Sequence, residues 1–110
     1  MKQREIWQVN LNPIKGSEQA GFRPVVIVSG NLMNQYLNVV IVCPLTSKLK
    51  NYKGHVVLKP SSNNGLNKPS EILNFHVRSV SKDRFIKKLG SITEKELELT
   101  KKGLNEILTF

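Results

Sequence analysis

The chain has 110 residues, 17 of them Lys or Arg against 8 Asp or Glu, for a formal charge of +9. That length predicts one domain, residues 1–110, large enough for its own core, and recurrent apolar runs with only 23% charged residues exclude intrinsic disorder. A lone cysteine, Cys43, excludes an internal disulfide, and neither His55 nor His76 stands at metal-ligand spacing from other ligands.

In chain order, Glu5–Leu11 reads as a strand in which Trp7, Val9 and Leu11 alternate with Ile6, Gln8 and Asn10, and Trp7 is expected in the core. Asn12-Pro13 ends it, and Ile14–Phe22 is a loop containing Gly16 and Gly21. Pro24–Ser29 is a short β-branched run, hence a buried strand, and Gly30–Leu37 connects through a helical turn. Val39–Cys43 is a second buried strand, expected to close at Pro44. Thr46–Gly54 is a polar, lysine-bearing loop, expected to be mobile without ligand, and His55–Lys59 is a half-exposed strand. Pro60–Ser70, with two prolines and Ser-Ser-Asn-Asn-Gly, is a long turn or mobile loop; strands are expected at Glu71–Val77 and at Arg84–Leu89, the latter ending at Gly90. Thr93 and Glu96 have capping-box spacing, and Leu97, Leu104, Ile107 and Leu108 share one helical face that Gly103 weakens without ending. Short strands followed by one helix predict an α+β, mainly β fold: a small, strongly bent sheet or barrel with a C-terminal helix against it.

The uncharged stretch Pro24–Ser47 is interrupted by Ser29, Gly30, Asn31, Asn34, Gln35, Asn38 and Pro44, so no membrane span is expected. MKQREIWQVN has basic residues but no apolar run behind them, so no signal peptide is expected either, and the reading is a cytoplasmic domain. Between Glu18 and Glu71 there is no acidic residue, whereas Arg23, Lys48, Lys50, Lys53, Lys59 and Lys68 fall there. Such a face attracts polyanions, nucleic acid first among them; a merely basic surface is the alternative. There is no Walker loop and no nucleophile elbow for a Ser-His-Asp triad, acidic metal ligands are scarce mid-chain, and Cys43 lies in an apolar run as a core residue would.

Two places offer chemistry. In Gly16-Ser-Glu-Gln-Ala-Gly-Phe-Arg-Pro24 a glycine-bounded loop runs into a buried strand, and Pro24 biases Arg23 toward extended backbone. A guanidinium fixed there can hold a phosphate through two parallel hydrogen bonds, or else pair with Glu18 on the surface. In Pro44-Leu-Thr-Ser-Lys48 two hydroxyls and a lysine follow the end of a buried strand, where catalytic groups collect; an ordinary Ser/Thr turn is the other reading.

Glu5-Ile-Trp7, Leu11-Asn-Pro13, the Gly16–Pro24 block and Pro44-Leu-Thr-Ser-Lys48, with Phe85-Ile-Lys-Lys-Leu-Gly90 before a helix, together resemble the MazF/PemK family of toxin endoribonucleases over nearly the whole chain. The resemblance implies an SH3-like barrel (the PemK/CcdB-like plasmid maintenance toxin fold) with a C-terminal helix, working as a homodimer. It implies metal-independent, cofactor-free cleavage of single-stranded RNA at a short sequence, and a cognate antitoxin whose disordered acidic tail covers the RNA groove. The family's catalytic arginine and threonine fall on Arg23 and Thr46, with Ser47 helping to bind the phosphate. Ser17, Gln19, Lys48, Lys50 and Lys53 are the further candidate RNA contacts. Many relatives carry an acid then glutamine where this chain has Phe75 and His76. The acid is missing, so His76 is the candidate replacement in proton transfer, with base contact or a plain strand-end residue as alternatives, while Phe75 is expected to pack inward. A non-cleaving nucleic-acid-binding barrel and a gyrase-directed toxin are the rival functions.

Overall fold

The computed structural model describes residues 1–11 and 21–110. The predicted Ser17 and Gln19 contacts, and the Glu18 partner for Arg23, lie outside the described residues. The fold is mostly sheet, curled into an antiparallel half-barrel with a C-terminal helix. Its elements are β1 (Glu5–Asn10), β2 (Phe22–Ile27), α1 (Asn31–Tyr36), β3 (Val39–Thr46), β4 (Val57–Leu58), β5 (Ser70–Ile72), β6 (Arg78–Ser81), β7 (Phe85–Ser91) and α2 (Glu94–Thr109). Along the sheet the order is β4-β5-β3-β2-β1-β7, with β6 also paired to β3.

The central strands read as continuous apolar runs because both their faces are buried. One face carries Ile6, Val26, Cys43, Leu45, Leu58 and Ile72, onto which Ile92 and Leu97 pack. The other carries Val9, Val25, Ile27, Val40, Val42 and Val80, flanked by Trp7 and Phe85, whose rings meet edge to face at 5.7 Å. Trp7 is therefore a packing residue, half-buried, and its indole N–H donates to Glu5 Oε1 at 2.9 Å.

β3 does not stop at Pro44. It runs on to Thr46, and the backbone explains why. In an antiparallel strand a residue's N–H and C=O point to the same neighbour. The Pro44 carbonyl accepts from the Leu73 N–H at 2.9 Å, so the missing proline N–H faces that same edge. There the partner chain leaves the ladder. Between Leu45↔Ile72 and Val42↔Arg78 the surplus residues form a 3₁₀ turn at Asn74–His76. The strand expected over Glu71–Val77 is thus β5, a turn and then β6, which the sequence reading missed. Its alternation misleads because Asn74 points inward, 1% exposed, while Phe75 is 49% exposed rather than packed inward.

β4 is shorter than the expected strand and β7 runs one residue past Gly90. The Pro60–Ser70 segment is tied down rather than loose. Asn64 is buried; its Oδ1 accepts from the Ser61 and Leu66 amides and its Nδ2 donates to the Lys59 carbonyl. Gly65, at φ +68°, lies so close under Leu89 that a Cβ would meet that carbonyl oxygen at 2.0 Å. α2 opens with the full capping box, Thr93 Oγ1 accepting from the Glu96 N–H and Glu96 Oε1 from the Thr93 N–H. It passes through Gly103 unbroken because a Cβ there would meet Asn74 Nδ2 at 2.2 Å and the Gly54 carbonyl at 2.8 Å. Only the first part of its apolar stripe is covered: Leu97 is buried and Leu104 partly so, whereas Leu108 is 81% exposed. No described helix is long and apolar enough to cross a membrane.

Candidate active site

β2 and β3 pair as Val25↔Pro44, Val26↔Cys43 and Ile27↔Val42. The same register, continued to the ends of both strands, sets Arg23 opposite Thr46. Residues directly opposite on an antiparallel pair send their side chains to the same face. The two loci therefore meet: Arg23, Thr46, Ser47 and Lys48 line one open pocket of about 310 Å³ with Phe22, Pro24, Leu45 and Ser70. Arg23, Ser47 and Lys48 are exposed and Thr46 is half-buried, so all four are within reach of a ligand. Among the described residues two cations and no carboxylate line the pocket, and Arg23 has no ion-pair partner there, an arrangement suited to an anion.

Thr46 ends its strand in a hydroxyl turn. Its Oγ1 accepts from the Lys48 N–H at 3.1 Å. That bond occupies one lone pair and leaves the hydroxyl proton to donate outward, toward whatever the guanidinium holds. The ordinary-turn reading and the functional one are thus the same structure.

The other candidates stand elsewhere. The Lys50 side chain is exposed but does not line this pocket, and Lys53 lines a separate groove against α2 with Tyr52, Phe75 and Ile107. His76 is not among the described residues that line the pocket of Arg23 and Thr46. It is exposed on the 3₁₀ turn, its ring 4.8 Å from that of Phe75, which also meets Tyr52 and His55 at 5.4 and 5.1 Å. The residue Arg78, two positions on, is exposed opposite Val42.

The sequence reading passed over Glu71 as one more strand residue, yet it is wholly buried. Its Oε1 accepts from the Lys50 and Asn51 amides at 2.6 and 2.8 Å, and its Oε2 lies 2.6 Å from His55 Nδ1. Burial alone would push this carboxyl up, but the hydrogen bonds from His55 and the loop amides outweigh it and hold Glu71 below the usual carboxylate range. An acid in a β-branched neighbourhood, Ser70-Glu71-Ile72, with no nearby acid in sequence was the available signal. Cys43 is buried, and desolvation pushes its thiol up to about 12, which removes it as a nucleophile. Among the described residues no three His, Cys, Asp or Glu side chains gather as a metal-ligand set.

The half-barrel with a pocket at the β2–β3 ends is a fold that comparison with known proteins places. Residues 2–108 match the PemK-like, MazF-like toxin of type II toxin–antitoxin systems, and the chain belongs to that family. It is 34% identical over 100 residues to the endoribonuclease MazF of Staphylococcus saprophyticus, covering 89% of this chain and 82% of that protein. A crystal structure of MazF from Deinococcus radiodurans superposes with a TM-score of 0.80 at 26% identity, over 100% of this chain and 97% of that one. A mycobacterial endoribonuclease in complex with its cognate antitoxin shares the fold, at a TM-score of 0.79 and 19% identity over 98% and 94% of the chains.

Proposed function

We propose that this chain is an endoribonuclease toxin that cuts single-stranded RNA without a metal ion, using Arg23 and Thr46. The observation that carries the reading is that these two side chains line one pocket whose described lining holds two cations and no acid. RNA brings its own nucleophile. The 2′-oxygen bonds to phosphorus as the bond to the 5′-oxygen breaks; the 2′ proton leaves and the departing oxygen takes one up. The products are a 2′,3′-cyclic phosphate and a 5′-hydroxyl, and DNA, lacking the 2′-hydroxyl, is inert.

What the protein supplies is charge and hydrogen-bond donors at the phosphorane. Arg23 brings a planar guanidinium that can donate two parallel hydrogen bonds to the phosphate. Thr46 donates its outward proton to a non-bridging oxygen, with Ser47 and Lys48 beside it. Lys50 and Lys53 follow the RNA backbone away from the cut. We assign His76 to contact with a neighbouring nucleotide beside the exposed Phe75 ring, not to proton transfer at Arg23 and Thr46. In this reading the protein acts as a homodimer kept silent by an antitoxin, as the family and the mycobacterial complex support. Exposed Leu32, Tyr36 and Leu37 around α1, and Leu108 and Phe110 after it in α2 and at its end, offer apolar surface for such assembly.

The test is incubation of the purified protein with a long RNA in EDTA and mapping of the ends. Cleavage to 5′-hydroxyl ends that disappears in Arg23→Ala is expected. Intact RNA at every protein concentration, or cleavage unchanged by Arg23→Ala, would overturn the reading. Salt-sensitive RNA binding without cleavage would point instead to the non-cleaving barrel, and inhibition of supercoiling to a gyrase-directed toxin.

A further inference from the structure

We propose that Glu71, together with His55, is a positioning residue for the active site: its carboxylate ties down the loop that presents Ser47 and Lys48 and orients the Thr46 hydroxyl. The proposal rests on the nuclease reading above. It starts from a burial that needs an explanation. A glutamate with no exposed surface survives in a strand only if its oxygens are satisfied. Here every donor comes from one loop. The Lys50 and Asn51 amides reach Oε1 at 2.6 and 2.8 Å, the Tyr52 amide reaches Oε2 at 3.4 Å, and His55 Nδ1 meets Oε2 at 2.6 Å. A carboxylate only accepts, so the His55 proton at this contact sits on Nδ1. Asn51 takes a φ of +54°, which turns successive amides toward the same carboxylate.

The location gives this tie its purpose. Thr46 and Glu71 are directly opposite in the β3–β5 pair, so both side chains leave the sheet on the same side. The short stretch from Ser47 to Leu49 is therefore held at both ends, by the end of β3 and by the Lys50 amide on Glu71. In its middle the Lys48 amide donates to Thr46 Oγ1. The hydroxyl direction depends on that amide, and the amide's place depends on Glu71. The carboxylate is sealed under the loop, so no ligand touches it directly and any effect it has on the site passes through the loop amides and His55.

The experiment compares wild type, Glu71→Ala, Glu71→Gln and Glu71→Asp in steady-state cleavage of an RNA oligonucleotide, with thermal melts and amide hydrogen exchange on the same samples. A displacement of about 1 Å near a reacting centre is worth up to about 100-fold. Glu71→Ala is expected to lower kcat/KM per folded molecule at least about tenfold and to lose exchange protection at Lys50 and Asn51. Glu71→Gln keeps a carbonyl oxygen for those amides and should restore kcat/KM to within about threefold of wild type. A merely structural glutamate would lower only the folded fraction, leaving kcat/KM per folded molecule at the wild-type value. If Glu71→Ala does not fold, Glu71→Asp decides, because it keeps the charge but withdraws the anchor by one methylene; its kcat/KM per folded molecule must fall. A value within about twofold of wild type in a folded Ala or Asp variant, or Gln as impaired as Ala, overturns the proposal. Hydrogen exchange needs no turnover, so a wild type that cuts no RNA would sink the nuclease reading while leaving the loop tie separately measurable.

Discussion

Thr46→Val is the most direct test of the pair that meets at the β2–β3 ends. Valine keeps the shape and loses the hydroxyl. Two bonds go with it: the one Oγ1 accepts from the Lys48 N–H at 3.1 Å, and the one that the proposed mechanism has the hydroxyl donate to the phosphorane. The first lies in a half-exposed turn where water can replace it, so its loss costs about 0.5–1.5 kcal/mol of stability. The second acts only in the transition state, against developing charge, where one donor is worth about 2.7–4 kcal/mol. The two readouts therefore separate. Cleavage of a defined RNA should slow by about 10²–10³ in kcat while the melting temperature falls by only a few degrees. Thr46→Ser should recover most of the rate. A slowing of Thr46→Val below about tenfold, or one that merely tracks the unfolded fraction, would refute the argument.

Other consequences follow from the packing and the buried charge. Gly103→Ala adds a good helix former to α2 yet should lower the melting temperature, because the new methyl would meet Asn74 Nδ2 at 2.2 Å and the Gly54 carbonyl at 2.8 Å; a gain in stability would contradict the close approach. Glu71 is held below its ordinary value of 4.5, so its contribution is complete above that pH and is lost as pH falls through the lower folded value. Melts recorded from about pH 7 down to about pH 3 should therefore fall more steeply in wild type than in Glu71→Gln. Cys43, with its thiol pushed up to about 12, should resist iodoacetamide at neutral pH in the folded protein and react on unfolding, as mass spectrometry would record.

The elements legible in the sequence were those whose signal is local. The capping box at Thr93 and Glu96, the β-branched runs of β2 and β3, and the turn α1 needed no distant partner to be read. The segment after Ser70 was misread because its fate is set across the sheet, by the missing donor of Pro44 and by Gly103 making room for Asn74. For the site, the motif blocks named Arg23 and Thr46, and the strand register places them together. His76 lies on the 3₁₀ turn and is not among the residues lining their pocket. Glu71 offered only its isolation as an acid inside a strand, since the amides that satisfy it come from a loop some twenty residues earlier in the chain.

The gap in the β3 ladder has a consequence for how such an enzyme can change. Pro44 accepts from the Leu73 N–H but has no N–H to offer in return, so the facing chain can bulge out beyond that bond, carrying Phe75 and His76, without losing a donor from β3. Arg23 and Thr46 are held through the opposite edge of β3, by its pairing with β2. Mutations can therefore exchange or lengthen the bulge, and with it the surface that Phe75 and His76 present, while Arg23 and Thr46 keep their places. Selection is left free to redraw that rim of the molecule without disturbing the pocket.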